Sequence, residues 1–125
     1  MMARIQSRNT RPERVVRSTL HRLGWRYRLH VKALPGSPDI ANQTRQFAIF
    51  VHGCFWHQHA PCRLARMPRR NLEYWGPKLR RNIERDQQDL VRLKQKGYRV
   101  LVIWECETKD VPSVEKRLRN FLRDT

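Results

Sequence analysis

The chain has 125 residues, with 27 Lys and Arg against 11 Asp and Glu and a formal net charge of +16. That length supports one core and leaves no room for a second domain, so 1–125 reads as a single unit. The charge calls for a polyanion and makes nucleic acid the leading partner, while no apolar run approaches the ~18 residues of a membrane span.

"TRPE" at 10 to 13 combines a capping box with a proline in the first turn, which predicts a helix from about residue 11 to 23, ended by Gly24. Period-two alternation in "WRYRLH", 25 to 30, predicts a half-buried strand. "LPGSPDIA", 34 to 41, is a turn that delivers Asp39 to the start of an extended segment. The apolar run "FAIFV", 47 to 51, predicts a strand buried on both faces. "VHGCFWHQHAPC" follows it, at the strand end where open α/β sheets place their sites. A charged helix is predicted over 76 to 96, with Leu79, Ile83, Leu90 and Leu93 on one stripe and Gly97 closing it. A second central strand is predicted over 98 to 105, and a last helix over 112 to 123. This order gives an α/β fold of three layers around a mixed sheet.

Basic "MMARIQSR" lacks the apolar segment of a secretory leader, and three cysteines are an odd number for a disulfide scaffold. A reducing, cytoplasmic setting, nucleoid-associated in a bacterium, is therefore expected. Cys54, His59 and Cys62 form C-x4-H-x2-C, and Cys106 lies 44 residues further on. Cys3His is a closed structural zinc set that would use every cysteine; the alternative is buried core thiols beside a solvated histidine.

Asp39 precedes a buried segment, where a carboxylate needs a partner or a cation, and carboxylate oxygens suit Mg²⁺. His57 is a candidate proton-transfer group, since imidazole titrates near neutral pH. Glu13 can serve catalysis or only the capping box, and His52 can be catalytic or a buried strand-end histidine.

With "LPGSPD", "FVHGCFWH", "EYW", "NIERD" and "VLVIWEC" in this order, the chain resembles the very short patch repair (Vsr) DNA mismatch endonucleases, members of the restriction-endonuclease-like superfamily. The resemblance implies a restriction-endonuclease-like fold with a structural zinc site, and an enzyme that nicks one strand of duplex DNA beside a T·G mismatch; because a single nick requires only one active site, a monomer is the simpler expectation. It makes Asp39 and the backbone carbonyl of Val51 ligands of catalytic Mg²⁺, His57 the proton-transfer group, and His52 and Glu13 groups that reach the ion through water. Cys54, His59, Cys62 and Cys106 match the family's zinc ligands. Phe55, Trp56 and Trp75 match aromatic residues inserted into the base stack, Lys78 and Asn82 match base-edge contacts, and Met2 matches a contact in the opposite groove. Ala60-Pro61 places two residues between His59 and Cys62 where the family often has one, so the zinc loop must bulge or use a different ligand. Residues 108 to 125 match no motif. Two other readings fit the same residues: a related homing-type or restriction-like nuclease that cuts a fixed sequence without a mismatch, and a non-catalytic zinc-stabilised DNA-binding module.

Overall fold

The computed structural model describes residues 10–59, 62, 65, 71–123 and 125. Met2 and Ala60-Pro61 lie outside the described residues. The chain opens on helix α1, Arg11–Arg22, whose capping box forms as its sequence dictates: Thr10 accepts the Glu13 N–H and Glu13 Oε2 accepts the Thr10 N–H. Four strands follow: β1 (Arg28–Leu29), β2 (Ile40–Asn42), β3 (Phe47–His52) and, after helix α2 (Leu72–Gln95), β4 (Arg99–Trp104). A 3-10 segment, Glu105–Lys109, leads into helix α3, Val111–Leu122.

The sheet has the order β1-β2-β3-β4, antiparallel across the first two pairings and parallel between β3 and β4. Val16 and Leu20 of α1 and Val114, Leu118 and Leu122 of α3 meet Ile40, Phe47, Ile49 and Ile103 on one face. On the other face Leu93 of α2 packs with Leu34, Ala41, Ala48 and Phe50. The three expected layers are therefore present. The terminal helix, although it matches no motif, closes one face of the core, and Arg117 ties it to Glu107 at 2.5 Å. No helix of the described residues is long and apolar enough to cross a membrane.

Three expectations need correction. The strand predicted over 25 to 30 shrinks to Arg28–Leu29, because its partner runs out: Leu29 pairs with Ile40 and Arg28 with Ala41, and β2 ends at Asn42. The Asn42 side chain then donates to the Arg26 carbonyl in place of a ladder bond. Trp25 and Tyr27 still turn inward and pack against the core, as period two requires. Second, the helix predicted to start at 76 begins at Leu72 and carries Pro77 inside it. Asn71, in the left-handed region at φ 57°, accepts the Tyr74 and Trp75 N–H groups and starts this extra turn. Third, β4 is an edge strand rather than a central one among the described residues, and most of its positions are half-buried.

Candidate active site

At the C-terminal end of β3 a cavity of about 910 Å³ opens, lined in part by Glu13, Asp39, Val51, His52, His57 and Asp86. Asp39 is carried there by the 34–38 turn, which lies tight against α2. Gly36 sits at φ +77°, and a Cβ there would come within 2.9 Å of the Asp89 Cβ, so the position accepts only glycine. Asp39 Oδ2 accepts the Val51 N–H at 2.7 Å, fixing the acid to β3. Glu13, 3% exposed, points from α1 to the same place, and the ligand atoms of Glu13, His30 and Asp39 lie within 4.8 Å of one another.

The two acids differ in proton affinity. Burial pushes Asp39 up to about 6, against the bond from Val51, and the charge of Glu13 adds to the rise. Burial pushes on Glu13 as well, but the bond and charge of His30, together with the Thr10 N–H, outweigh it and hold Glu13 below the ordinary range. Crowded, desolvated carboxylates of this kind suit a hard divalent cation. A stability prediction follows. Because the folded-state value of Asp39 lies above its ordinary 3.8, the stability this group contributes is present below that value and is lost as pH rises through about 6. Without divalent cations, Asp39→Asn is therefore expected to be more stable than the unaltered chain at pH 8, by on the order of 2 kcal/mol in urea unfolding. The gap should narrow as pH falls to 5, and Mg²⁺ should stabilise only the unaltered chain. An equal or lower stability at pH 8 would contradict the crowding.

Opposite the acids, His57 Nδ1 and Asp86 Oδ2 are 2.5 Å apart. His52 stacks on His57 with ring centroids 3.8 Å apart and planes within 6°. Burial, followed by the neighbouring His57, lowers His52 to about 4, so it stays neutral at physiological pH. Its Nδ1 is buried without a hydrogen-bond partner. Asp86 and His30 escaped the sequence reading. Asp86 lies four residues after Asn82 and hence on the same helix face, a signal that could have found it; His30, just past a strand end, gave none.

The loop after β3 is tied back to the sheet region by Glu105 Oε1, which accepts the Cys54 N–H at 3.1 Å. It brings together one ligand atom each from Cys54, His59, Cys62 and Cys106, all within 4.8 Å. The Cys54 and Cys106 sulfurs stand 3.7 and 3.5 Å from His59 Nδ1. Around a tetrahedral ion with metal–sulfur bonds of about 2.3 Å and metal–nitrogen bonds of about 2.0 Å, that separation is about 3.5 Å. The longer His59-to-Cys62 spacing is accommodated, with the Cys62 N–H donating to the His59 carbonyl at 2.8 Å. Burial and the neighbouring thiols push Cys54 up to about 12, a crowding that a bound cation would reverse. Trp104 joins the two corners: its ring stacks on His59 at 4.2 Å and meets His52 edge-on at 5.2 Å.

Phe55, Trp56 and Trp75 form a wall of mutually edge-on rings, with centroids 5.3 to 5.6 Å apart. The extra first turn of α2 makes this possible by bringing Trp75 beside the loop. Lys78 Nζ stands within 5.8 Å of the Trp56, Tyr74 and Trp75 rings, and Asn82 donates to the Trp56 carbonyl. Tyr74, 58% exposed, extends the wall and was not singled out from sequence.

Comparison with known proteins places the chain in a family. The family model described as DNA mismatch endonuclease Vsr matches residues 1–63. The type II nicking enzyme V.XorIIP of Xanthomonas oryzae is 50% identical over 122 residues, covering 98% of this chain and 89% of that protein. V.NmeAIP of Neisseria meningitidis, also a type II nicking enzyme, is 37% identical over 124 residues, covering 99% of this chain and 88% of its own. The DNA mismatch endonuclease Vsr of Escherichia coli is 41% identical over 105 residues, 84% of this chain and 67% of that one. With half of its length under the family model and nearly all of it aligned to relatives, the chain belongs to the Vsr family of DNA endonucleases.

Proposed function

We propose that this protein nicks one strand of duplex DNA beside a T·G mismatch of the kind left by deamination of 5-methylcytosine, using Mg²⁺ at Asp39 and a structural zinc ion at the Cys3His corner. The observation that supports it most directly is one cavity shared by the paired acids, the His57–Asp86 pair and the wall of Phe55, Trp56 and Trp75. A single nick needs a single site, so a monomer suffices.

Bound Mg²⁺ would neutralise charge at the scissile phosphate and activate the attacking water. Asp39 would hold it together with the Val51 carbonyl, while Glu13 stands beside Asp39. Asp86 occupies Nδ1 of His57, which leaves Nε2 as the nitrogen that exchanges a proton with a reacting oxygen. His52 supports the His57 ring by stacking on it, and its Nδ1 is buried without a partner. The cysteine corner would take zinc as a closed set of four protein ligands, with no position left for catalysis. Its role is to hold Phe55, Trp56 and His57 in register.

The ring wall suits a mismatch. Wedging a duplex costs a few kcal/mol per step, less where pairing is already weak, and aromatic faces return ~1–3 kcal/mol per stacked base. Lys78 and Asn82 brace the wall in this structure and would exchange those contacts for base edges.

A second reading, nicking of a fixed sequence in matched DNA, is favoured by the relatives named type II nicking enzymes. The discriminating experiment incubates protein and Mg²⁺ with end-labelled duplexes bearing T·G, T·A or C·G at one position. Nicking of the T·G duplex alone is the expected result. Equal nicking of a matched duplex would replace the mismatch reading with the second, and binding without cutting would leave only a DNA-binding module.

A further inference from the structure

His30 has no place in the chemistry described above, yet it touches both Glu13 and Asp39. It is the first residue beyond β1 and leaves the strand in the left-handed region at φ 48°. A histidine there is uncommon, and such conformations persist where surrounding bonds over-determine them. Two bonds do so here. The His30 N–H donates to the Asp39 carbonyl at 3.0 Å, and Nε2 lies 2.7 Å from Glu13 Oε1. One residue thereby links α1, which carries Glu13, to Asp39, the residue immediately before β2.

Besides His30, the carboxylate of Glu13 meets the Asp39 side chain and one backbone donor. Its second oxygen accepts the Thr10 N–H at 3.2 Å within its own helix, a bond that leaves α1 free to move relative to the sheet. Outside its own helix the carboxylate meets the Asp39 side chain and His30, and the tie to His30 is the one anchored on the end of β1. His30 does not line the cavity; it stands behind Glu13.

We infer that His30 is a positioning residue that holds the Glu13 carboxylate against Asp39, and that this fixed pair sets the affinity of the site for its divalent cation. The inference rests on the proposed cation site at Asp39. Residues that orient the groups around a bound ion change metal affinity or activity by roughly 10–100-fold when removed. His30 acts through a neutral or charged N–H to a carboxylate, so a side-chain amide that reaches the same oxygen should substitute for it.

The test compares the unaltered chain with His30→Ala and His30→Gln. Mn²⁺ binding is followed by calorimetry on protein purified without Mg²⁺, nicking by kcat and KM for mismatched duplex, and folding by thermal melting. His30→Ala is expected to weaken Mn²⁺ binding and lower kcat, each by roughly 10–100-fold, with KM unchanged. His30→Gln should recover most of both. Mn²⁺ affinity and kcat equal to those of the unaltered chain would overturn the inference. So would a lowered melting temperature with Mn²⁺ affinity unchanged, because His30 would then only satisfy a buried carboxylate. If the unaltered chain itself neither takes Mn²⁺ nor nicks, the cation site at Asp39 is wrong and this inference falls with it.

Discussion

Asp39→Ala protein is expected to bind mismatched duplex at least as tightly as the unaltered chain and to nick it on the order of 10³-fold more slowly, the loss of several kcal/mol of charge stabilisation at the phosphate. Binding should survive because it would rest on the cationic surface of a +16 chain and on the proposed ring wall, neither of which involves Asp39. Removing one of two crowded carboxylates also relieves repulsion against the incoming phosphate. His57→Ala should cost ~10²–10⁴-fold in rate, the usual range for a positioned proton-transfer group. Asp86→Asn keeps the shape of its partner but removes its charge, and should fall between this variant and the unaltered chain. Single-turnover nicking of labelled duplex alongside gel-shift affinities gives all of these values. A His57→Ala protein that nicks at the full rate would remove His57 from the mechanism.

Stripping the metal from the Cys3His corner is the second large effect. One zinc per chain is expected by elemental analysis, and removal by a thiol-competing chelator, or Cys54→Ser, should destabilise the fold by on the order of 4 kcal/mol or more. At about 4 °C per kcal/mol in a chain of this size, the melting temperature drops by roughly 15 °C. Added Mg²⁺ should not restore nicking, because Phe55, Trp56 and His57 lie on the loop that this corner holds. Protein that contains no zinc and melts at the same temperature after chelation would defeat the proposal, leaving three close thiols and a histidine without a shared ligand.

Features built from neighbouring residues were legible in the sequence. The capping box at Thr10, the left-handed glycines after α1 and α2, and the buried run of β3 each depend on a few adjacent positions. The cysteine corner was legible because its spacing is short and its residue types are rare. What depends on tertiary pairing was not. Asp86 shares a helix face with Asn82, but its pairing with His57 shows only once the loop after β3 is laid against α2. The early start of α2 was hidden by Gly76-Pro77, whose ordinary meaning is a boundary and which here lies inside the helix. The shortened β1 reflects the length of its partner, a property of β2 and not of residues 25 to 30.

The ring of Trp104 gives the parallel pairing of β3 and β4 a further meaning. Register sets it opposite His52, and stacking sets it flat on His59, so one indole touches a histidine from each corner. Anything that dislodged His59, whether loss of the proposed ion or oxidation of a thiol, would uncover this ring and remove one of the contacts beside the His52–His57 stack. A strongly cationic nuclease that kept cutting after its recognition loop had come apart would endanger any duplex it met. Here a disturbance at His59 would pass through Trp104 and His52 to His57, the proposed proton-transfer group, so that a broken molecule would become an inactive one.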